Sequence, residues 1–262
     1  MSTANTTCIT VNNLTYSYDN ETVLSNISFD IPSGCLVSLL GPNGVGKSTL
    51  FKCILGIFNP QNGQVYINNL NVRDLTPRKL AQNIAYIPQS HNNAFNYSVF
   101  DIVLMGTTAK LDGYKSPGKQ EIQQVEEALK KLNIYELRNR GFSNISGGER
   151  QLALIARALV QQARIIIMDE PTSNLDFGNR IRVMNTIKSL THQGYTIILS
   201  THEPDVAFMY SDRILCLLKG NLLAYGTPAE IITPDIISSL YNVDVDIVSL
   251  REDHIRVCLP KQ

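Results

Sequence analysis

Residues 35–56, CLVSLLGPNGVGKSTLFKCILG, constrain this chain more than any other stretch, because they prescribe a strand, a glycine-rich loop and a helix in that order. Residues 35–40 form a short apolar run suited to a strand buried in a parallel sheet. After the loop, Leu50 with Ile54 and Phe51 with Leu55 are i, i+4 pairs on one helical face, and Gly56 ends the helix. Between them Gly41, Pro42, Asn43, Gly44, Val45, Gly46, Lys47, Ser48 and Thr49 match G-x-x-x-x-G-K-[ST]. Backbone N–H groups in such a loop wrap a polyphosphate, Lys47 reaches the terminal phosphates and Ser48 offers a hydroxyl to magnesium. The expectation is an α/β nucleotide hydrolase with a helix N-terminus facing the anion.

At 262 residues the chain suits one large or two small domains. Lys plus Arg equal Asp plus Glu at 23 each, so no basic excess points to nucleic acid and no acidic excess to a disordered tail. No uninterrupted apolar stretch approaches the ~18 residues of a membrane span, and the opening MSTANTTC lacks the charged-then-apolar order of a signal peptide. The chain is therefore expected in the cytosol, or at a membrane only through a partner. Cys8, Cys35, Cys53, Cys216 and Cys258 show no C-x-x-C spacing, which predicts buried free thiols, and the histidines show no metal-ligand spacing.

Along the chain, residues 8–31 read as two strands broken at Asp19-Asn20. Tyr16 and Tyr18 lie two apart and face one side of their strand, where packing and ligand contact are both open. A helix is predicted from Pro77 to Gln82, and a short strand over 84–88 then delivers Gln89 beyond its carboxyl end, where ligand chemistry collects in open α/β sheets. From 90 to 144 the pattern turns helical: Ile122, Val125, Leu129 and Leu132 make an apolar stripe backed by Glu126–Lys130 and Glu127–Lys131 pairs.

Ser146 followed by Glu149 is a capping box, and Leu152, Ile155, Ala156 and Leu159 give the next helix its buried face. Gly147 and Gly148 in the first turn are poor helix formers, costing near 1 kcal/mol each against alanine. Either the motif only caps a helix, or the glycines clear its N-terminus for an anion. In RIIIMDEP, residues 164–171, an apolar strand ends abruptly in Asp169-Glu170. Such a pair suits magnesium chemistry, with Asp169 holding the ion and Glu170 taking a proton from attacking water. The strand YTIILS likewise carries His202 just past its end, a third polar residue at a strand exit. Residues 213–226 are predicted to form a hairpin turning at 219–221, a short helix to begin at Thr233-Pro234, and two closing strands to follow.

Taken together these motifs resemble the nucleotide-binding subunit of ATP-binding cassette (ABC) transporters over essentially the whole chain. GPNGVGKST is similar to the Walker A loop, IIIMDE to Walker B with its catalytic glutamate, and ISGGERQ to the family signature. SNLD, ending in Asp176, is similar to the D-loop, Gln89 to the Q-loop glutamine and His202 to the switch histidine. The resemblance implies one ABC ATP-binding domain: a P-loop NTPase core with an N-terminal antiparallel β-subdomain over 1–89 and 162–242, an inserted α-helical subdomain over 90–161, and a C-terminal β extension over 243–262. It implies ATP and Mg2+ as cofactors, with adenine stacked on Tyr18, the metal held by Ser48, Gln89 and Asp169, and catalysis by Glu170, His202 and Lys47. It further implies a head-to-tail dimer around two ATP molecules, in which Ser146, Gly147 and Gly148 of one copy complete the γ-phosphate site of the other.

Wording such as EPTSNLDFGN and TPDIISSLYNVDVDIV looks most like the ATPases of importers for iron-siderophore complexes, haem and cobalamin, with a molybdate or tungstate group close by. Residues 107–111, TTAKL, depart from the arginine-histidine wording of those importers, and Glu149 stands where many members have glutamine. The resemblance implies two membrane permease subunits docked on residues 95–105, from Phe95 to Met105, a substrate-binding protein, and a peripheral location on the cytoplasmic side of the inner membrane. A soluble ABC ATPase serving assembly or translation, and a non-catalytic nucleotide-binding regulator, are the readings from other classes.

Overall fold

The computed structural model describes residues 6–89, 96–111, 116–253 and 255–261. In chain order the first elements are β1 (Thr7–Tyr18), β2 (Glu21–Pro32), β3 (Leu36–Leu40), α1 (Lys47–Ile54), β4 (Asn62–Ile67), β5 (Leu70–Asn71), α2 (Pro77–Asn83) and β6 (Ile84–Ile87). There follow α3 (Val99–Leu104), α4 (Lys119–Lys131), α5 (Gly147–Gln161), β7 (Ile165–Met168), α6 (Phe177–Thr191), β8 (Thr196–Thr201) and α7 (Pro204–Tyr210). The chain closes with β9 (Arg213–Leu218), β10 (Asn221–Gly226), α8 (Pro228–Ile231), α9 (Pro234–Tyr241), β11 (Val245–Leu250) and β12 (Ile255–Pro260). It divides into two compact units, Met1–Leu75 with Thr191–Gln262, and Thr76–Leu190. The helical insertion expected over 90–161 falls inside the second.

In the first unit β2, β1, β4 and β5 form an antiparallel sheet in that order. Its inward residues alternate with polar ones along β2, where Leu24, Ile27, Phe29 and Ile31 are buried. The other layer runs β3 parallel to both β8 and β9, with β10 antiparallel beyond β9. All of β3 and β8 is buried, as continuous apolar runs in a covered parallel sheet require. The β9–β10 hairpin turns through Lys219 and Gly220, both at positive φ, the backbone of a two-residue turn that matches strand twist. A Cβ on Gly220 would meet the Val23 carbonyl oxygen at 2.4 Å, so glycine is required there twice over. The carboxyl end of the unit packs Ile237 and Leu240 of α9 and Val245 of β11 onto Leu40, Ala207 and Cys216.

In the second unit β6 pairs in parallel with β7, Ile84 opposite Ile165 through Ile87 opposite Met168. The predicted capping box starts α5: Ser146 Oγ accepts from the Glu149 N–H at 3.3 Å, and the Ser146 N–H donates to Glu149 Oε2 at 2.8 Å. Hydrogen bonds to its carboxylate from the Ser146 N–H and then from the Ser146 side chain hold Glu149 below its ordinary range. Of the apolar stripe predicted on α4, Val125, Leu129 and Leu132 are buried, joined by Ala128, while Ile122 is 41% exposed. Glu126 and Lys130 do pair, at 3.7 Å. Four of the five cysteines are buried and the fifth half-buried, all with free thiols.

Candidate active site

The glycine loop leaves the carboxyl end of β3, and His202 leaves that of its parallel partner β8, so both emerge from the same end of that pair. Helix α1 begins at Lys47 itself, inside the loop, with Gly46 at φ 103° as its N-cap and no side chain capping it. Glycine at the N-cap brings no capping side chain of its own to the first turn, as suits a helix N-terminus that receives an anion. Lys47 is 6% exposed, and its ammonium donates to the carbonyls of Gly41 at 2.7 Å and Pro42 at 3.0 Å. A triphosphate fits this donor set: backbone N–H groups plus a positive charge fixed by its own loop.

Tyr18 is 42% exposed, with its hydroxyl 3.4 Å from Thr49 Oγ1 at the start of α1. Its ring stands edge-on to Tyr16 and to Phe58, at 5.1 and 5.7 Å between centroids, while Tyr16 and Phe58 stack face to face at 5.1 Å. Tyr16 and Phe58 therefore act as a buttress that leaves the Tyr18 ring standing out for a flat partner.

In the second unit Gln89 and Glu170 leave the same end of β6 and β7, and the Gln89 amide donates to Glu170 Oε2 at 2.8 Å. Asp169 is 5% exposed and its N–H donates to the Ile87 carbonyl, which carries β7 one residue past its last strand pair. Burial, with the Asp169 carboxylate beside it, pushes the Tyr86 hydroxyl up to about 12, so Tyr86 stays a neutral hydrogen-bonding group. Sequence reasoning passed over Tyr86, because an aromatic inside a strand signals packing first. Glu170 adopts φ 45°, a left-handed conformation that costs an ordinary residue roughly 1–2 kcal/mol. Ser173 holds it there, donating from its N–H at 3.1 Å and its hydroxyl at 2.9 Å to the Glu170 carbonyl.

A cavity of about 190 Å³ opens beside these groups, lined by Gln89, Gly147, Gln151, Glu170, Ser173 and Asn174. It is polar and roomy enough for water, and a carboxylate on its wall suits the activation of one. Among the described residues no cluster of three or more His, Cys, Asp or Glu could hold a metal by itself. Mg2+ needs no such cage, since it takes one or two carboxylates, keeps its waters and binds substrate phosphates.

Gly148 has a further reason for being glycine. A Cβ there would lie 2.4 Å from Asn179 Oδ1, on α6, whereas one on Gly147 would meet only Leu175 Cδ2, at 3.1 Å. Asn179 cannot easily yield, since its N–H and amide donate to the two Asp176 carboxylate oxygens at 2.8 and 2.7 Å, bonds that also hold Asp176 below its ordinary range. Packing alone is therefore enough to demand Gly148, whereas at Gly147 only the flexible end of Leu175 stands in the way of a side chain. Gly148→Ala should cost about 1–3 kcal/mol, read as a lower thermal midpoint, with part of the loss recovered by adding Asn179→Gly. An unchanged midpoint would mean that α5 or α6 gives way freely.

Within the expected docking segment 95–105, Val99, Ile102 and Val103 are buried, while Tyr97 and Met105 stand 41% and 40% exposed. Phe95, where the expected docking segment begins, lies outside the described residues. No helix among the described residues is long and apolar enough to cross a membrane.

Comparison with known proteins agrees with this geometry. Residues 24–173 match the family model described as ABC transporter. An uncharacterized ABC transporter ATP-binding protein of Haemophilus influenzae is 39% identical over 236 residues, 90% of each chain. A protein of Helicobacter pylori named as a probable iron chelatin transport ATP-binding protein is 32% identical, covering 91% of this chain and 94% of its own. The molybdate import ATP-binding protein of H. influenzae is 34% identical over 90% and 88%. Among solved structures, a metal-chelate-type ABC transporter in an inward-facing conformation superposes with a TM-score of 0.86 at 31% identity, over 98% of both chains. A dimeric ATP-binding cassette in a post-hydrolysis state, bound to ADP and Pi, gives 0.74 at 30% identity, over 84% of this chain and 98% of its own.

Proposed function

The chain belongs to the ABC transporter family as an ATPase coupled to transport, and from that premise we propose that it powers an importer of a metal chelate of the iron-siderophore, haem or cobalamin kind. The observation that carries the catalytic part is the Gln89–Glu170 contact, which sets a magnesium-ligand candidate beside a carboxylate base at the exit of paired strands. In this reading two copies close head to tail. Lys47 and the loop N–H groups stabilise charge on the phosphates, Ser48, Gln89 and Asp169 hold the ion, and Mg2+ supplies charge neutralisation at the phosphoryl oxygens. Glu170 accepts the proton of the attacking water, His202 contacts the γ-phosphate, and Tyr18 stacks on adenine. Ser146, Gly147 and Gly148 approach from the second copy, with Asp176 at the joint between α6 and the strand exit.

Permease subunits would dock on the segment around Tyr97 and Met105, holding the protein at the cytoplasmic face of the membrane. The relatives' names support both chelate and molybdate import, so the solute is the finer point. The test is the complex isolated from membranes together with its substrate-binding protein. A siderophore-, haem- or cobalamin-type chelate should stimulate MgATP hydrolysis while molybdate leaves it unchanged. Stimulation by molybdate or tungstate alone would replace the substrate class, and purification with no membrane subunit would favour the soluble ATPase.

A further inference from the structure

His202 sits on a short, exposed bridge between β8 and α7. One side of that bridge is tied by strand pairing, since Thr201 lies opposite Leu40, and the Thr201 hydroxyl accepts from the Glu203 N–H at 3.1 Å. The His202 carbonyl itself accepts from the Tyr241 hydroxyl at 3.0 Å, across 39 positions of sequence. Tyr241 is the last residue of α9, which Asn242 ends in a left-handed conformation. Its ring packs on the core formed by Ala207, Cys216, Ile237 and Leu240, and burial raises its hydroxyl above the ordinary range, so at neutral pH it is a donor with its proton in place. The same C-terminal region grips α7 again: the Cys258 N–H donates to Asp205 Oδ1 at 3.0 Å, and the Arg256 guanidinium lies 5.1 Å over the Phe208 ring.

We propose that Tyr241 is a positioning residue for hydrolysis, its hydroxyl fixing the peptide plane that follows His202 and so the direction in which the imidazole is presented. The proposal rests on the reading that His202 contacts the γ-phosphate. It gives the closing segment of the chain, α9 with the β11–β12 hairpin, a part in setting the site. Tyr241 touches no substrate; without its hydroxyl the His202 carbonyl turns to water, the plane can rotate, and the imidazole samples unproductive directions.

The experiment is a double-mutant cycle on the full chain, measuring kcat and KM for MgATP in the wild type, Tyr241→Phe, His202→Ala and the double variant. Phenylalanine keeps the ring packing, and the cycle is read at a temperature where all four chains are folded. Tyr241→Phe should lower kcat about three- to ten-fold, the scale of one hydrogen bond's net contribution, with KM little changed. In the His202→Ala background it should have no further effect. The proposal is overturned if Tyr241→Phe hydrolyses like the wild type while His202→Ala is impaired. It is also overturned if Tyr241→Phe lowers kcat by the same factor in both backgrounds, because the hydroxyl then acts elsewhere. A His202→Ala chain with the wild-type rate overturns it together with the reading beneath it, and that outcome is visible from this single variant alone.

Discussion

Glu170→Gln should bind MgATP as the wild type does and turn it over roughly 10²- to 10⁴-fold more slowly, the usual worth of a positioned base, or about 3 to 5 kcal/mol of barrier. The substitution is nearly isosteric, and what holds residue 170 in place is backbone: its left-handed φ of 45° and the two bonds from Ser173 to its carbonyl. Those survive in the variant. The Gln89 contact survives as well, since a glutamine at 170 still offers a carbonyl oxygen to the Gln89 amide. Only the capacity to take a proton is removed. The measurement is single-turnover phosphate release beside equilibrium nucleotide binding, so that loss of chemistry and loss of affinity separate. Near-normal turnover would remove Glu170 as the base.

The second large effect concerns the dimer. Lys47→Ala and Ser146→Arg should each be inactive alone. Lys47 carries the buried cation of the loop, and an arginine at 146 would stand over the N-terminus of α5, where Ser146 is exposed. If the site is shared head to tail, a heterodimer of the two variants holds one site with both defects and one with neither. Equal mixing yields heterodimers in half of the pairs, so about a quarter of wild-type activity should return, given two-fold pairing of identical chains. Ser146→Arg also removes a helix cap worth about 1 kcal/mol, so both variants must first be shown folded. A mixture as inactive as either parent would contradict completion of the site by the second copy.

Much of this site was legible because its signals are local. The strand–loop–helix at 35–56 and the abrupt end of IIIM in Asp169-Glu170 are patterns within ten or twenty residues, and β3, α1 and β7 form where they predict. The Ser146–Glu149 box is legible for the same reason, its two partners being three residues apart. What stayed hidden depends on neighbours distant in sequence. Gly148 looks like an opening for a ligand until Asn179 is seen against it. Within 95–105 the spacing does not say which apolar residues face inward, and Val99, Ile102 and Val103 do, while Tyr97 and Met105 stand partly exposed. Tyr241 lies four residues after Ile237 on the apolar face of α9, so its spacing announces packing and conceals the hydroxyl. The short helices α7 and α8, of 7 and 4 residues, are too brief for periodicity to register.

The buried ammonium of Lys47 changes what nucleotide capture must accomplish. An exposed lysine approaching a phosphate has first to shed a tightly held hydration shell, and much of the attraction is spent in doing so. Here the residue is only 6% exposed, and its ammonium donates to the Gly41 and Pro42 carbonyls. Much of the cation's desolvation thus belongs to the folding of the loop. In the proposed reading an arriving polyphosphate would exchange carbonyl contacts for stronger charged ones. In that reading the loop brings its positive charge to the nucleotide already held in place by the fold.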